Sequence, residues 1–576
     1  MALNNKELAK IFYEIADYLE MDGVAFKPYA YRKVALALET LEQDVGEIYR
    51  RGGLKVLEEI SGVGKNIAEH IEEYLKTGRM KYYNQLKKKT PINLDEISAV
   101  EGMGPKRAKI LYDKLGVRNL KDLEKAAKAR KIAGLPGFGE KSEKNILQGI
   151  EFVKRSKGRF LLGDILPWAR EIEQKLKSLK DVERISMAGS VRRRKETIGD
   201  IDFLVISEKP KKVMDFFVKL PEVIKVWGKG GTKSSVRLKE GFDVDLRVLP
   251  AKSYGAALQY FTGSKEHNIA TRRIAISKGL KLSEYGVFRG KRVVAGKTEE
   301  EVYKAIGLPW IEPELREDQG EIEAAMHKKL PRVIGYGDIR GDLHVHSNWD
   351  GGADSIEELA KAAMVMGYEY IGISDHTKFL RIEHGLNERQ LEKRNKEIDK
   401  INSRFHILDS RFQVLKGCEA NIMNDGSIDI KNESLAQLDY VIAGVHSNLK
   451  MPKDQMTKRI VTAMENPHVD IIAHPTGRLI HKREPYQIDF DKILKAAKGT
   501  GTILEIDGAP ERLDLNDFHI RRAKEAGVKM VINTDTHRKD QMRYMEYGIA
   551  QARRGWAEKC DIINSQPLEK LLPYFN

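Results

Sequence analysis

The chain has 576 residues, 41% of them hydrophobic, and carries 100 Lys and Arg against 85 Asp and Glu, a formal charge of +15. That length exceeds a single core and predicts three to five domains, and the cationic surplus suits a polyanionic partner such as nucleic acid. Cys418 and Cys560 are the only cysteines, so a disulfide framework and a thiolate zinc site are excluded, and neither a bilayer-spanning apolar run nor a secretory signal is visible, which points to the reducing cytoplasm and no membrane partner.

The first 150 residues hold a weak internal repeat: "LEEISGVGKNIAEHI", "ISAVEGMGPKRAKIL" and "IAGLPGFGEKSEKNIL". Each has an apolar lead-in, a Gly-x-Gly turn, a basic or polar residue, and then apolar residues at helical spacing. Gly62 and Gly64, Gly102 and Gly104, and Gly137 and Gly139 permit a tight turn that aims backbone N–H groups outward at a helix start. With Lys65, Lys106 and Lys141 beside them, each turn is a seat for backbone phosphate. The three units resemble the helix-hairpin-helix motif, which grips DNA without reading its sequence.

Further on, "MAGSVRRRKETIGDIDFLV" places Gly189 and Ser190 in a turn, then Arg192, Arg193 and Arg194, then a strand. A small hydroxyl, free amides and guanidinium forks fit a polyphosphate. Side chains alternate along a strand, so Asp200 and Asp202 share one face. Two adjacent carboxylates repel, and neither ionises readily beside the other without a cation. A second strand, "EGFDVDLRVLP", puts Asp243 and Asp245 on one face in the same way. Three carboxylates around two magnesium ions are what phosphoryl transfer needs.

"GSVRRRKETIGDID", "VDLRVLP" and "YFTGSKEHN" resemble the palm and thumb of the family X DNA polymerases, from about residue 5 to residue 315. The resemblance implies that Asp200 and Asp202 bind both metals, Mg2+ or Mn2+, and selects Asp245 over Asp243 as the third ligand and base for the primer 3′ hydroxyl. It implies that Gly189, Ser190 and Arg193 hold the triphosphate of an incoming deoxynucleotide. Tyr260, Phe261 and Gly263 then line its sugar, Asn268 its base edge, Arg272 the template side, and Lys233 the primer. Some members remove a deoxyribose phosphate through a Schiff-base lysine. His70 stands where that lysine would be, and imidazole cannot form the Schiff base, which leaves Lys27 and Lys65 as its substitutes.

After "LPWIEPELREDQGEIEAAMHKKLPRVIGYGDIR", a charged stretch that reads as a linker, histidines become dense: 11 of the 14 lie from His344 onward. "GDLHVHSNWDGG" alternates His344 and His346 with apolar residues, so one strand face is a wall of ligands. "GISDHT", "KGCEANI", "AGVHS", "IIAHPTGR" and "VINTDTH" each follow a short β-branched run and precede a loop and helix, the pattern of a barrel with its ligands at strand ends. Imidazole with carboxylate suits Zn2+ or Mn2+ better than Mg2+. The segment resembles the polymerase and histidinol phosphatase (PHP) domain, a distorted (β/α)7 barrel that holds up to three metals and hydrolyses phosphoesters. The resemblance makes His344, His346, Asp350, His376, Glu419, His446, His474, Asp535 and His537 the ligands. The family's first motif continues with Ser-Asp-Gly, whereas here Asp350 is shifted by one position, with Asp354 as its substitute.

The expected fold class is multidomain α/β: a helical N-terminal DNA-binding domain with the first hairpin over 1–80, helical fingers with two further hairpins over 81–157, a nucleotidyltransferase palm with a mixed sheet over 158–250, a small thumb over 251–315, a linker over 316–338, and the PHP barrel over 339–576. The expected function is gap filling in base-excision repair on gapped or primed DNA, by a monomer whose barrel is a 3′–5′ exonuclease, with abasic-site or 3′-phosphate cleavage in some relatives. Rival readings are a template-independent nucleotidyltransferase and a DNA-binding scaffold with an inert barrel.

Overall fold

Glycines shape the N-terminal helices of the computed structural model, which describes residues 5–41, 43–60, 62–98, 100, 103–156, 159–407, 412–481 and 483–575. Gly62 lies at φ +87°, a left-handed conformation that side chains disfavour, and the helix Lys65–Thr77 starts at Gly64. That helix buries Ile67, Ala68, Ile71 and Tyr74, one stripe at helical spacing. Helix Pro105–Leu115 starts at Gly104, and helix Glu140–Ser156 follows Gly137, at φ +78°, and Gly139. Neither Gly64 nor Gly104 offers a side-chain cap, so the first N–H groups of those helices face outward for a ligand. Gly102 and the side chain of Lys141 lie outside the described residues.

The chain divides into two compact units, Met1–Phe160 with Leu176–Ser186 and Gly199–Trp310, and Leu161–Lys175 with Met187–Ile198 and Ile311–Asn576. The first contains a five-stranded mixed sheet built from β1 (Arg184–Met187), β2 (Asp200–Ile206), β3 (Val223–Lys229), β4 (Lys233–Leu238) and β5 (Asp243–Leu249), in the order β1-β2-β5-β4-β3. β2 and β5 run parallel, with Asp200 opposite Asp243 and Asp202 opposite Asp245, while β4 pairs antiparallel with both β5 and β3. Ile201, Phe203, Val205, Val244, Leu246 and Val248 are buried, which holds the register, because a slip of one residue would turn the carboxylates into the core. Helices Tyr254–Thr262 and Lys265–Ser277 follow, and Ser264 caps the second by accepting from the His267 N–H at 3.0 Å.

In the second unit β6 (Gly341–Val345), β7 (Tyr370–Ile373) and β8 (Gln413–Lys416) form one parallel sheet. β9 (Glu419–Asn421), β10 (Ile442–Gly444), β11 (Ile471–Ile472), β12 (Ile503–Asp507) and β13 (Met530–Asn533) form another. Only Gly417 and Cys418 separate β8 from β9, so these are two halves of one passage broken at a bend, and the described residues make seven passages. A helix follows each passage, which is the sevenfold (β/α) pattern that the resemblance to the PHP domain implies. Isolated parallel bridges Val345–Thr536 and His376–Glu419 join the two sheets at their ligand-bearing end.

The stretch 316–338, expected as an exposed linker, is packed instead. Arg316, Glu321, Ile322, Ala325 and Ile334 are buried there, and Val333 bridges to Glu558. Its charged residues hid this from the sequence because their partners are distant; Glu317, for example, accepts from Arg554 Nη1 at 3.0 Å.

Tyr440 wedges into the barrel and donates its hydroxyl to the Leu343 carbonyl at 2.5 Å, next to His344. A Cβ on Gly372 or Gly417 would lie 2.2 Å from that ring. Gly372→Ala is therefore expected to destabilise the barrel by about 1–3 kcal/mol through overpacking. Gly499→Ala, in open space on helix Phe490–Thr500, should leave the thermal midpoint unchanged or raise it.

Candidate active sites

In the first unit the β2–β5 register brings Asp202 and Asp245 side by side. Burial, then Asp200, then Asp245 push the Asp202 carboxyl up to about 7, the mark of an acid crowded by like charge. Asp243 faces a different environment: Arg237 grips it through Nε at 2.8 Å and Nη2 at 2.6 Å, and Trp227 donates Nε1–H at 2.9 Å. It is already neutralised. Asp245 instead accepts from the Ser235 hydroxyl at 2.5 Å and lies 3.0 Å from Lys233 Nζ. Three carboxylates on two neighbouring central strands, with Asp200 and Asp202 both pushed towards neutrality, form a donor set that fits a hard divalent cation.

Tyr260 and Phe261 meet edge to face at 5.0 Å, and the Arg272 guanidinium lies 5.6 Å from the Tyr260 ring. Asn268 donates Nδ2–H to the Tyr260 carbonyl at 2.7 Å and to the Gly263 carbonyl at 3.3 Å, so it ties the helix turn together. Gly263 is needed there, since a Cβ would lie 2.9 Å from Asn268 Oδ1. Gly189 and Ser190 open a single helical turn, Gly189–Arg192, with Gly189 at φ +60°. Arg193 follows and pairs with Glu317. The segment Met187–Ile198 that carries these residues belongs to the second unit. Lys65, Gly62, Gly64 and His70 line a cavity of about 560 Å3 with Lys27 and Tyr31, and His70 stacks on Tyr82 at 4.9 Å. Lys106 follows Gly104 and Pro105 in the first turn of its helix.

The barrel cluster converges on Glu419. His376 Nδ1 is 2.7 Å, His446 Nε2 3.0 Å, His474 Nε2 3.1 Å and His344 Nε2 3.4 Å from its carboxylate. His346 Nε2 lies 3.3 Å from Asp535 Oδ1, and the His537 ring stacks on His346 at 4.2 Å. Burial raises the Glu419 pKa but the surrounding imidazoles outweigh it, and its carboxyl is held well below the usual range. His344 Nε2, His346 Nε2, His376 Nδ1 and His474 Nδ1 are buried without a hydrogen bond of acceptable geometry. His376 Nδ1 is close to Glu419 but points past it. Buried nitrogens that converge yet satisfy no one are the signature of ligands, and three triads here have donor atoms within 4.8 Å of one another: His344, His346 and Asp535; His346, His376 and His537; and His376, Glu419 and His446.

The outer nitrogens are anchored. His344 Nδ1 donates to Glu505 at 2.7 Å, His346 Nδ1 to Asp350 at 2.7 Å, and His446 Nδ1 to Asn421 at 2.8 Å. Each bond fixes ring and tautomer and aims Nε2 inward. Asp350 thus sits behind His346 rather than in the triads centred on Glu419 and Asp535, although it groups with His346 and Asp375. Asp354 is drawn away to Lys539, 3.1 Å from its Nζ. Sequence reasoning missed Glu505 and also Arg512, whose Nε lies 3.3 Å from both Asp507 and Asp535. Glu505 and Asp507 alternate in "TILEIDG" as Asp200 and Asp202 do, a signal that was available. Arg512 sits in a loop with no such pattern. It lines, with Arg483, a cavity of about 250 Å3 over the cluster.

Four family models match: a helix-hairpin-helix domain over 3–80, a SAM-like helix-hairpin-helix tandem over 94–151, the DNA polymerase beta thumb over 257–317 and the PHP domain over 342–509. The chain is 38% identical to the DNA polymerase/3′-5′ exonuclease PolX of Bacillus subtilis over 98% of both chains. It is 26% identical to DNA polymerase lambda of Rattus norvegicus over 53% of this chain and 54% of that one. A probable phosphatase of Thermoanaerobacter sp. is 34% identical over 34% of this chain and 78% of its own. The chain belongs to the family X DNA polymerases that carry a C-terminal PHP domain. No helix among the described residues is long and apolar enough to cross a membrane.

A cation held by Asp202 would need its ionised form, and burial pushes this carboxyl up to about 7, so cation binding there would displace protons at lower pH. In a His344→Ala/His346→Ala background, calorimetry in two buffers should show Mg2+ affinity rising about fivefold from pH 6 to 7, about tenfold from pH 6 to 8, and levelling above 8, with proton release fading in parallel.

Proposed function

We propose that the protein fills short gaps in DNA by templated nucleotidyl transfer at Asp200, Asp202 and Asp245, and removes residues from DNA 3′ ends at the barrel cluster. The observation that carries this reading is the pairing of Asp202 with Asp245 while Asp243 is occupied by Arg237 and Trp227. Divalent cations held by these carboxylates would lower the pKa of the primer hydroxyl and neutralise charge on the transferred phosphorus. Asp245 accepts the proton of the 3′ hydroxyl. Ser190, with the Gly189 turn, and Arg193 hold the triphosphate. Tyr260, Phe261 and Gly263 bound the sugar, Asn268 the base edge, Arg272 the template and Lys233 the primer.

Gapped or primed DNA is gripped by the three hairpins, whose uncapped helix starts and Lys65, Lys106 and Lys141 meet phosphate. In the barrel His344, His346, His376, Glu419, His446, His474, Asp535 and His537 hold Zn2+ or Mn2+, with Asp350 orienting His346, and the palm holds Mg2+ or Mn2+. Arg483 and Arg512 receive the phosphate of the cleaved end. A cavity of about 250 Å3 admits a terminal nucleotide or a 3′ phosphate rather than duplex, in keeping with the phosphatases that match this part of the chain. This reading places a monomeric repair polymerase in the cytoplasm. His70 offers no amine for a deoxyribose-phosphate lyase.

The test compares wild type, Asp200→Ala/Asp202→Ala and His344→Ala/His346→Ala on one gapped substrate, with and without a template. Each double variant should lose one activity by roughly a thousandfold, the several kcal/mol that metal-held charge contributes, and keep the other. Incorporation that persists without template would favour a template-independent transferase instead.

A further inference from the structure

We infer that Glu317 and Arg554, outside both metal clusters, are positioning residues for nucleotide binding, because they hold the guanidinium of Arg193 in place. The inference rests on the reading that Arg193 meets the triphosphate. The segment Met187–Ile198 belongs to the compact unit of the barrel, and its partners come from there. Arg193 donates Nε–H to Glu317 Oε1 at 2.9 Å, the two side chains being 11% and 10% exposed. Arg554, the last residue of helix Met545–Arg554, donates Nη1–H to the Arg193 carbonyl at 3.1 Å and to the same Glu317 oxygen at 3.0 Å. Its other terminal nitrogen binds Asp517. Backbone and side chain of Arg193 are therefore clamped by one pair.

The next residue strengthens the clamp. Arg194 is left-handed, at φ +53°, a conformation that side chains disfavour and that must be held from outside. Its guanidinium lies 3.1 Å from Glu546, in the first turn of the helix that ends in Arg554. One barrel helix thus grips both arginines.

Charge decides between positioning and competition. Lys195 Nζ also lies 3.7 Å from Glu317, so Arg193, Lys195 and Arg554 stand against Glu317 and Asp517. The group keeps a net positive charge and still attracts an anion. A guanidinium fixed along its Nε edge is already oriented, so an incoming polyphosphate need not spend binding energy on ordering it. Helix Met545–Arg554 then serves synthesis without any of the barrel's metal chemistry.

The experiment uses the full chain as Glu317→Ala, Glu317→Gln, Arg193→Ala and the Glu317→Ala/Arg193→Ala double variant. It reads KM and kcat for a deoxynucleoside triphosphate in single-nucleotide gap filling, exonuclease rate on the same preparations, and thermal midpoint. Glu317→Ala should raise KM about tenfold, the loss of one charge-assisted orientation, with a smaller change in kcat. Glu317→Gln, which keeps an acceptor oxygen but not the charge, should recover part of that affinity, with KM staying about two- to fivefold above wild type. Exonuclease should be unaffected, and the double variant should be no worse than Arg193→Ala alone. An unchanged or lowered KM, or losses that multiply in the double variant, would overturn the inference. Should Glu317→Ala unfold, a wild-type KM in Glu317→Gln would overturn it equally. A wild-type protein that incorporates nothing on templated gaps would sink the functional reading itself, whereas incorporation with indifferent Glu317 variants would sink only this step.

Discussion

Like charges forced together in a low-dielectric setting are the constraint on which this protein is built. A parallel register sets Asp202 beside Asp245, and the buried neighbours Ile201, Phe203, Val244 and Leu246 prevent the strands from slipping apart to relieve the repulsion. The result is a carboxyl pushed up to about 7, a site whose stored repulsion is discharged by a cation. The barrel meets the same problem from the opposite side. There a single carboxylate, Glu419, is ringed by imidazoles: His446 and His474 bond it through Nε2, while the inward nitrogens of His344, His346 and His376 find no proper hydrogen bond.

Both sites depend on groups that stand behind the ligands. Arg237 and Trp227 occupy Asp243 and so leave Asp245 as the carboxylate turned to Asp202. Glu505, Asp350 and Asn421 do the equivalent work for three histidines by taking their Nδ1 protons. The choice of ligand is thus made by outer partners that have no metal chemistry of their own.

The boundary between the two compact units does not follow the order of motifs along the chain. The arginine loop precedes the palm strand with Asp200 in sequence, but its carboxylate partners Glu317 and Glu546 lie in the unit of the barrel. The charged stretch expected to tether that barrel is part of the same packing, with Arg316 and Glu321 fully buried.

Much of this was legible in the amino-acid order, because the informative patterns are local. Strand alternation places Asp200 with Asp202 and His344 with His346, glycine pairs mark three helix starts, and β-branched runs before each histidine announce a barrel. Asp350 was legible as a member of the site, but its place behind His346 was not, since the shifted motif states only that a carboxylate is near. Glu505 and Asp507 showed the same alternation and were passed over. Arg512, Glu317 and Arg554 could not be found in this way at all. Arg193 meets Glu317 across 124 positions and Arg554 across 361, and nothing periodic connects such distances. Local alternation and turn chemistry are properties of neighbouring residues, so the chain alone determined which side chains share a strand face or a helix start. Which charges would be neutralised, aimed or left exposed depends on partners brought together by packing, and that was decided only when the chain folded.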